Sequence, residues 1–149
     1  KRTKREGTSM KVYDAKGIVL GRLASHAAKD ALLGEDVVIV NCEQAVISGA
    51  RRLLFLTQKR RREKRGYPLA GVRIHRSADR FVRRSVRGMV PWTKTRGREA
   101  FKRVMCHIGI PKEVEGKEMI SLTKESVSKF PNSIYVTVAQ LMKDLGGKQ

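Results

Sequence analysis

The chain has 149 residues, of which 33 are Lys or Arg and 14 are Asp or Glu, so its formal net charge is +19. This length predicts one domain with a sizeable hydrophobic core, and a charge this positive is typical of proteins that bind nucleic acid or another polyanion. The two cysteines lack a C-x-x-C spacing, and no apolar run approaches the roughly 20 residues that span a bilayer. A disulfide scaffold and a membrane-spanning helix are therefore excluded, and we expect a cytoplasmic protein.

Positive charge is concentrated in the middle of the chain. Residues 51–103 contain 19 basic and three acidic side chains, a net charge of +16. Apart from a short basic segment at residues 1–10, the flanks are close to neutral. We predict that residues 1–10 form a flexible basic arm and that residues 11–149 form a single domain, whose middle third is the binding surface.

The first part of the domain has the pattern of a βαβ unit. A short strand predicted over residues 11–15 is followed by apolar residues at helical spacing over 20–32, with Asp30 on the predicted polar side of that helix. The β-branched run at 36–41 is typical of a strand buried on both faces of a parallel sheet. Strand, helix and strand in this order indicate an α/β fold.

The next helix, predicted over residues 50–64, changes character along its length. Its first half contains the apolar run 53–56, which we expect to be buried, and its second half leads into the cationic run 59–65. Such a helix would be rooted in the core and would project its charged end outward. A surrounding polyanion would neutralise that end, whereas water alone gives no reason to group so many like charges.

The most informative stretch is a helix predicted from an N-cap at Ser77 to a stop at Gly88 and Pro91. Four arginines fall at i, i+3, i+4 and i+7 and therefore share one stripe: Arg80, Arg83, Arg84 and Arg87. The opposite side carries Phe81, Val82, Ser85, Val86 and Met89. Because a guanidinium group matches two phosphate oxygens at once, we interpret the stripe as phosphate-binding rather than as an ordinary solvated basic face.

The remaining elements are shorter. We predict a second basic loop, a short helix, two strands and a final helix, at residues 92–97, 98–104, 104–108, 119–123 and 137–145. The final helix begins with a capping-box pattern, because Thr137 is followed three residues later by Gln140. Two aromatic residues, Trp92 and Tyr67, each allow two interpretations, stacking on an unpaired base or packing against the core.

The sequence contains no motif for catalysis or metal binding. The glycines after the first strand match neither the dinucleotide fingerprint nor the Walker A motif, and the three histidines have no ligand spacing. The cationic region holds just three carboxylates, too few to suggest acid–base chemistry. We therefore expect no catalytic residue, no metal, no cofactor and no small-molecule substrate.

Several motifs resemble those of a known family, the universal large-subunit ribosomal protein numbered thirteen, in its archaeal–eukaryotic branch. They are Tyr-Asp-Ala-Lys-Gly at 13–17, Leu-Gly-Arg-Leu-Ala at 20–24, Asn-Cys-Glu at 41–43, Ile-Ser-Gly at 47–49, Val-Arg-Gly-Met-Val-Pro at 86–91, Arg-Gly at 96–97 and Ala100. This resemblance, which covers residues 12–111, implies a three-layer α/β/α domain on a small, mainly parallel sheet. It also implies a structural role in the large subunit, with large-subunit ribosomal RNA and neighbouring ribosomal proteins as partners.

The resemblance implies that residues 87–91 and 96–97 face RNA, and the charge pattern extends this surface on both sides. The predicted RNA-binding residues are Lys59, Arg60, Arg61, Arg62, Lys64, Arg65, Arg73, Arg76, Arg80, Arg83, Arg84, Arg87, Gly88, Met89, Pro91, Trp92, Lys94, Arg96, Gly97 and Arg98. Two alternatives stay open at this point, an RNA-modifying α/β enzyme and a basic DNA-binding protein. An anionic membrane surface is a poorer partner, because no bulky apolar face accompanies the cations.

Overall fold

The computed structural model describes residues 10–63, 75–129 and 134–147 of the chain. Some of the predictions made above fall elsewhere. These are residues 1–9 of the basic arm predicted over 1–10, the packing of Tyr67 and the RNA-binding roles of Lys64, Arg65 and Arg73, all of which lie outside the described residues.

The described residues form short strands and helices that alternate in the first half of the chain. The strands are β1 (Met10–Asp14), β2 (Asp36–Val40), β3 (Val46–Ser48), β4 (Val104–Cys106), β5 (Met119–Ile120) and β6 (Tyr135–Thr137). The α-helices are α1 (Leu20–Leu33), α2 (Arg51–Glu63), α3 (Ala78–Met89), α4 (Thr95–Arg103) and α5 (Val138–Asp144). Within the three described segments, no helix combines the length and apolar character that crossing a membrane would require.

Four strands form a parallel sheet with the order β4-β2-β1-β5. The central pair is in register along its whole length, from Met10 opposite Asp36 to Asp14 opposite Val40. Strands β3 and β6 form a separate antiparallel pair. Helices flank the four-stranded sheet, so the predicted α/β/α fold on a small, mainly parallel sheet is confirmed.

Alternation along the strands divides the core in two. Tyr13, Ile39 and Cys106 point to one face of the sheet, where they join the main hydrophobic cluster with α1, α3, α4 and α5. The other face carries a smaller cluster of Val12, Val38, Val40 and Val114. Strand β2 is thus buried on both faces, as its β-branched sequence predicts.

The prediction for Asp30 is wrong, because this residue is buried rather than part of the solvent side of α1. Its carboxylate accepts a hydrogen bond from the Tyr13 hydroxyl and lies 3.3 Å from the Lys11 ammonium group. Burial and the hydrogen bond to Asp30 raise the pKa of Tyr13, so the phenol stays protonated. Asp30 therefore fastens α1 to β1, and a buried carboxylate is tolerated because it has both a donor and a counter-ion.

The expectation that the apolar run of α2 is buried is also wrong in part. The Leu54 and Phe55 side chains pack against the core, whereas Leu53 is 65% exposed and Leu56 is 40% exposed. The helix is held at its start by Arg51, whose guanidinium donates to both carboxylate oxygens of Asp144 at 2.8 and 2.6 Å. Helix α2 is thus attached to α5 along one side and is solvent-exposed on the other.

Three helix ends show how far local sequence rules apply. The capping box predicted at Thr137 and Gln140 is confirmed. Ser77 occupies the N-cap of α3, but its hydroxyl donates to the Asp79 carboxylate and makes no side-chain cap. Helix α4 begins at Thr95, so the predicted loop at 92–97 is shorter than expected and its last residues are helical.

The two cysteines, which are far apart in sequence, meet in the main cluster. Cys42 and Cys106 are both buried free thiols. The hydrogen bond with Cys42 and burial raise the pKa of Cys106 well above its usual range. A thiol in this state is protonated and unreactive, so the pair acts as part of the hydrophobic core.

Candidate nucleic-acid interface

Helix α3 presents its arginines because its other face is fixed in the core. Ala78, Val82 and Val86 recur at intervals of four residues and are buried. This face packs against α1 and β4. The four arginines consequently lie toward the outer side, although Arg83 and Arg84 are half-buried while Arg80 and Arg87 are exposed.

Two of these arginines are stacked on aromatic rings. The Cζ atom of Arg83 lies 4.6 Å from the ring centroid of Phe101, and the Cζ atom of Arg87 lies 5.1 Å from that of Trp92. The two rings contact each other at an interplanar angle of 88° with centroids 5.2 Å apart. Arg83, Arg87, Trp92 and Phe101, here called the stacked cluster, thus join α3, α4 and the turn between them.

In the stacked cluster, each guanidinium group lies over an aromatic ring. A guanidinium that stacks through its flat face keeps N–H groups along its edge, where phosphate oxygens can be bound two at a time. Trp92 is 42% exposed, so it contacts Phe101 and Arg87 but does not close the hydrophobic core. Its exposed surface remains accessible for stacking on a base.

The turn that carries Trp92 is fixed by a close backbone contact. A Cβ atom at Gly97 would lie 2.1 Å from the carbonyl oxygen of Pro91, so only glycine fits there. Arg98 braces the same turn, because its Nε and Nη2 atoms donate to the carbonyl oxygens of Trp92 and Thr93. Gly97 is buried, so it positions the turn rather than touching an external partner.

The last turn of α3 is open in comparison. Gly88 is exposed, and a Cβ atom added there would meet no neighbouring atom within 4 Å. Met89 and Pro91 are exposed beside it, and the Ser25 hydroxyl lies 3.4 Å from the Met89 sulfur. This end of α3 therefore offers a surface on which a partner could approach the backbone closely.

A second group of cations lies at the end of α2. Lys59, Arg60 and Arg61 are exposed, and one of them, Lys59, pairs with Glu63 at 3.7 Å. Arg62 belongs to the same helix. Among the other predicted residues, Arg76 donates to the carbonyl of Gly146 at 3.3 Å, while Lys94 and Arg96 are exposed at the start of α4.

Three arginines of α3 have no carboxylate partner among the described residues. In the described part of the chain, no ion pair involves Arg80, Arg83 or Arg87. The buried Nε atom of Arg83 has no hydrogen-bond partner there either. Within the described part of the chain, no carboxylate therefore pairs with these groups to offset their mutual repulsion.

Some residues with a role at the site gave no signal in the sequence. Phe101 supports Arg83, and Arg103 donates to the carbonyl of Ala31 near the end of α1. Nothing in the local sequence predicts these contacts, because their partners are distant in the chain.

In the described segments, no group of three or more His, Cys, Asp or Glu side chains could hold a metal ion.

The fold and the site define a small, strongly basic α/β protein that presents arginines on an aromatic support. Comparison with known proteins agrees with this class, since residues 8–113 match the family described as "Ribosomal protein L13". The large ribosomal subunit protein uL13 of Methanocaldococcus jannaschii is 42% identical over 142 residues, which cover 93% of this chain and 99% of the relative. The chain therefore belongs to the ribosomal protein L13 family, whose members are proteins of the large ribosomal subunit.

Two further relatives extend the match beyond the motifs seen in the sequence. The uL13 protein of Archaeoglobus fulgidus is 40% identical, covering 94% of this chain and 90% of its own. That of Methanococcoides burtonii is 39% identical, covering 93% and 99%. These archaeal relatives confirm the predicted family, and their coverage passes residue 111, where the resemblance of motifs fades. Membership in a ribosomal protein family also agrees with the expectation of a non-enzymatic protein.

Proposed function

We propose that this large-subunit ribosomal protein binds and stabilises large-subunit ribosomal RNA, during assembly and in the mature cytoplasmic ribosome. The observation that carries the proposal is the stacked cluster, in which Arg83 and Arg87 lie on aromatic rings and have no carboxylate partner among the described residues. A folded surface that keeps guanidinium groups unpaired and oriented is suited to phosphate.

The proposed binding is structural and uses two groups of contacts. The edges of the Arg83 and Arg87 guanidinium groups would bind phosphate oxygens of one RNA segment, beside the open turn at Gly88. The cations of α2, which is exposed on one side, would neutralise a second segment. Bridging two segments would favour the folded RNA over the unfolded RNA, and this is how binding would assist assembly.

Exposed arginines provide the direct test. We expect the double variant Arg80→Ala/Arg87→Ala to bind a folded large-subunit ribosomal RNA fragment more weakly than the parent. Its salt slope should fall by about two, because two phosphates would no longer be neutralised by the protein. Its melting temperature should fall only slightly, because both side chains are exposed and an exposed cation–π contact such as that of Arg87 with Trp92 contributes about 0.5–1 kcal/mol. Fluorescence anisotropy over a salt series would measure both the affinity and the slope.

A charge-matched control separates a specific interface from net charge. Lys112→Ala/Lys129→Ala removes the same charge from exposed positions outside α2, α3 and α4. We expect this control to lose much less affinity than the arginine variant. Equal losses in the two variants would show that binding depends on net charge alone and would contradict the proposed interface.

A further inference from the structure

A cavity of about 340 Å³ lies on a part of the molecule that the proposed RNA interface does not use. It is bounded by the β1–α1 turn, the short 3₁₀ turn Cys42–Gln44, β3, β6, α5 and the 3₁₀ turn Val127–Lys129. Its lining residues are Gly17, Glu43, Gln44, Val46, Val127, Tyr135, Thr137 and Ala139. None of them belongs to α2, α3 or α4, so the cavity is a separate feature.

Backbone geometry brings Glu43 to this cavity. Asn41 adopts a left-handed conformation with φ of 54°, and its side chain donates to Asp14 at 2.8 Å. This turns the chain after β2 and begins the 3₁₀ turn that contains Glu43. The Oε2 atom of Glu43 accepts a hydrogen bond from the Gly109 backbone at 3.2 Å, and its Oε1 atom lies 3.5 Å from the Gln44 side-chain amide, a long contact with a neutral donor.

Glu43 has no ion-pair partner within the described structure. Among the described residues, no Lys, Arg or His side chain forms an ion pair with Glu43. This is notable in a chain with 33 Lys and Arg residues and 14 Asp and Glu residues, because a carboxylate has many cations of the same chain to pair with. The carboxylate therefore remains able to bind a cation supplied from outside.

The walls of the cavity determine what kind of cation fits. Val46, Val127 and Ala139 provide apolar surface, and Tyr135, which is 44% exposed, adds an aromatic ring. Apolar walls that lead to a carboxylate suit a side chain with an aliphatic stem and a charged head.

We propose that this cavity binds an arginine side chain of a neighbouring protein. The stem would lie along the apolar walls, and the guanidinium would donate to Glu43 and stack on Tyr135. Arginine fits better than lysine because its guanidinium is more weakly hydrated and stacks on aromatic rings. RNA is disfavoured here, because the Glu43 carboxylate would repel phosphate. The surface would thus serve contact with a protein rather than with RNA.

The test uses a single arginine and its neutral isostere. We expect Nα-acetyl-arginine amide, titrated into the ¹⁵N-labelled full chain, to cause saturable chemical-shift changes at the Gly17, Gln44 and Thr137 amides. Nα-acetyl-citrulline amide has nearly the same shape without the charge. We expect its affinity to be lower by at least about tenfold. Equal binding of the two probes, or arginine-induced shifts spread over the whole protein, would overturn the proposal.

Two variants locate the site. Glu43→Gln keeps an oxygen that can accept from Gly109 but removes the charge, so arginine binding should weaken by about tenfold or more. Ala139→Leu should block the cavity from α5 without changing charge and should abolish the localised shifts. Undiminished arginine binding in either variant would contradict the assignment. Both variants should bind ribosomal RNA like the parent, so failure of this proposal and failure of the proposed RNA binding are distinguishable.

Discussion

Arg87 has its guanidinium over the indole of Trp92, and this contact determines more than the position of a charge. The ring covers one side of the guanidinium group, whose N–H edge can bind two phosphate oxygens at once. An ammonium group in the same place would be a point charge without such an edge. At the scale of single residues, the proposed interface would therefore depend on the shape of the cation as well as on the sign of its charge.

Replacing Arg87 by Lys separates these two contributions. We expect Arg87→Lys to bind ribosomal RNA several-fold more weakly than the parent but with nearly the same salt slope, because one cation still neutralises one phosphate. Arg87→Ala should lower both affinity and slope. Anisotropy titrations at several salt concentrations would distinguish the two variants, and parental affinity in Arg87→Lys would show that the stacked geometry is irrelevant.

Gly97 allows a second test at the residue scale. In Gly97→Ala the new methyl group would meet the Pro91 carbonyl, so we expect a loss of about 1–3 kcal/mol in the free energy of unfolding. Gly88→Ala is the matched control, because it adds a methyl group to a helix in open space and should be neutral or stabilising by up to about 1 kcal/mol. Urea denaturation followed by the fluorescence of Trp92 would measure both. Parental stability in Gly97→Ala would contradict the close contact.

At the scale of elements, the attachment of α2 to the rest of the fold relies on a single ion pair to a greater extent than its apolar sequence suggests. The apolar run 53–56 predicts a buried helix, yet Leu53 and Leu56 are exposed and the start of α2 is tied to α5 by Arg51 and Asp144. The hydrogen bond from Arg51 lowers the pKa of Asp144. This pair therefore contributes stability at neutral pH and loses it in acid, since a depressed carboxyl pKa favours the folded state only while the group is ionised.

The lowered pKa of Asp144 predicts how the stability of the Asp144→Ala variant depends on pH. We expect the variant to be less stable than the parent by a constant amount above about pH 5, where the carboxylate is ionised in both the folded and the unfolded chain. As the pH falls below about 4 and through the folded-state pKa, the difference should shrink. Denaturation curves measured between these limits would show it, and a difference that does not change with pH would exclude a role for the charge.

The elements also show what sequence could and could not predict. The βαβ unit, the parallel sheet and the arginine stripe follow from periodicities within one segment, and they were predictable. Burial of Asp30 was not, because its partner Tyr13 is 17 residues away and becomes a neighbour only when α1 packs on β1. The same holds for Phe101 beneath Arg83. Spacing along a helix indicates which residues share a face, but not which residue of another element lies beneath that face.

At the scale of the whole molecule, the positive charge is divided between two groups of cations, which suits contact with more than one segment of a polyanion. The middle third carries +16 of the total +19, and the described part of it is divided between α2 and the α3–α4 region. If both groups together bind about six to ten phosphates, counterion release would supply most of the affinity. Affinity would then fall by about 10³–10⁵-fold between about 50 and 200 mM salt, by the rule for duplex DNA.

Salt dependence alone would not separate an RNA-binding protein from a general polyanion binder, so the comparison must include a second polymer. Duplex DNA of equal length offers at least the same phosphate density but a different groove shape and no 2′-hydroxyl. We expect the protein to bind a folded large-subunit ribosomal RNA fragment more tightly than duplex DNA at every salt concentration. The preference should persist as salt rises, because shape and stacking contacts are less screened than exposed charges. Equal affinity for the two polymers at matched salt would show that the surface recognises phosphate alone and does not distinguish RNA from DNA.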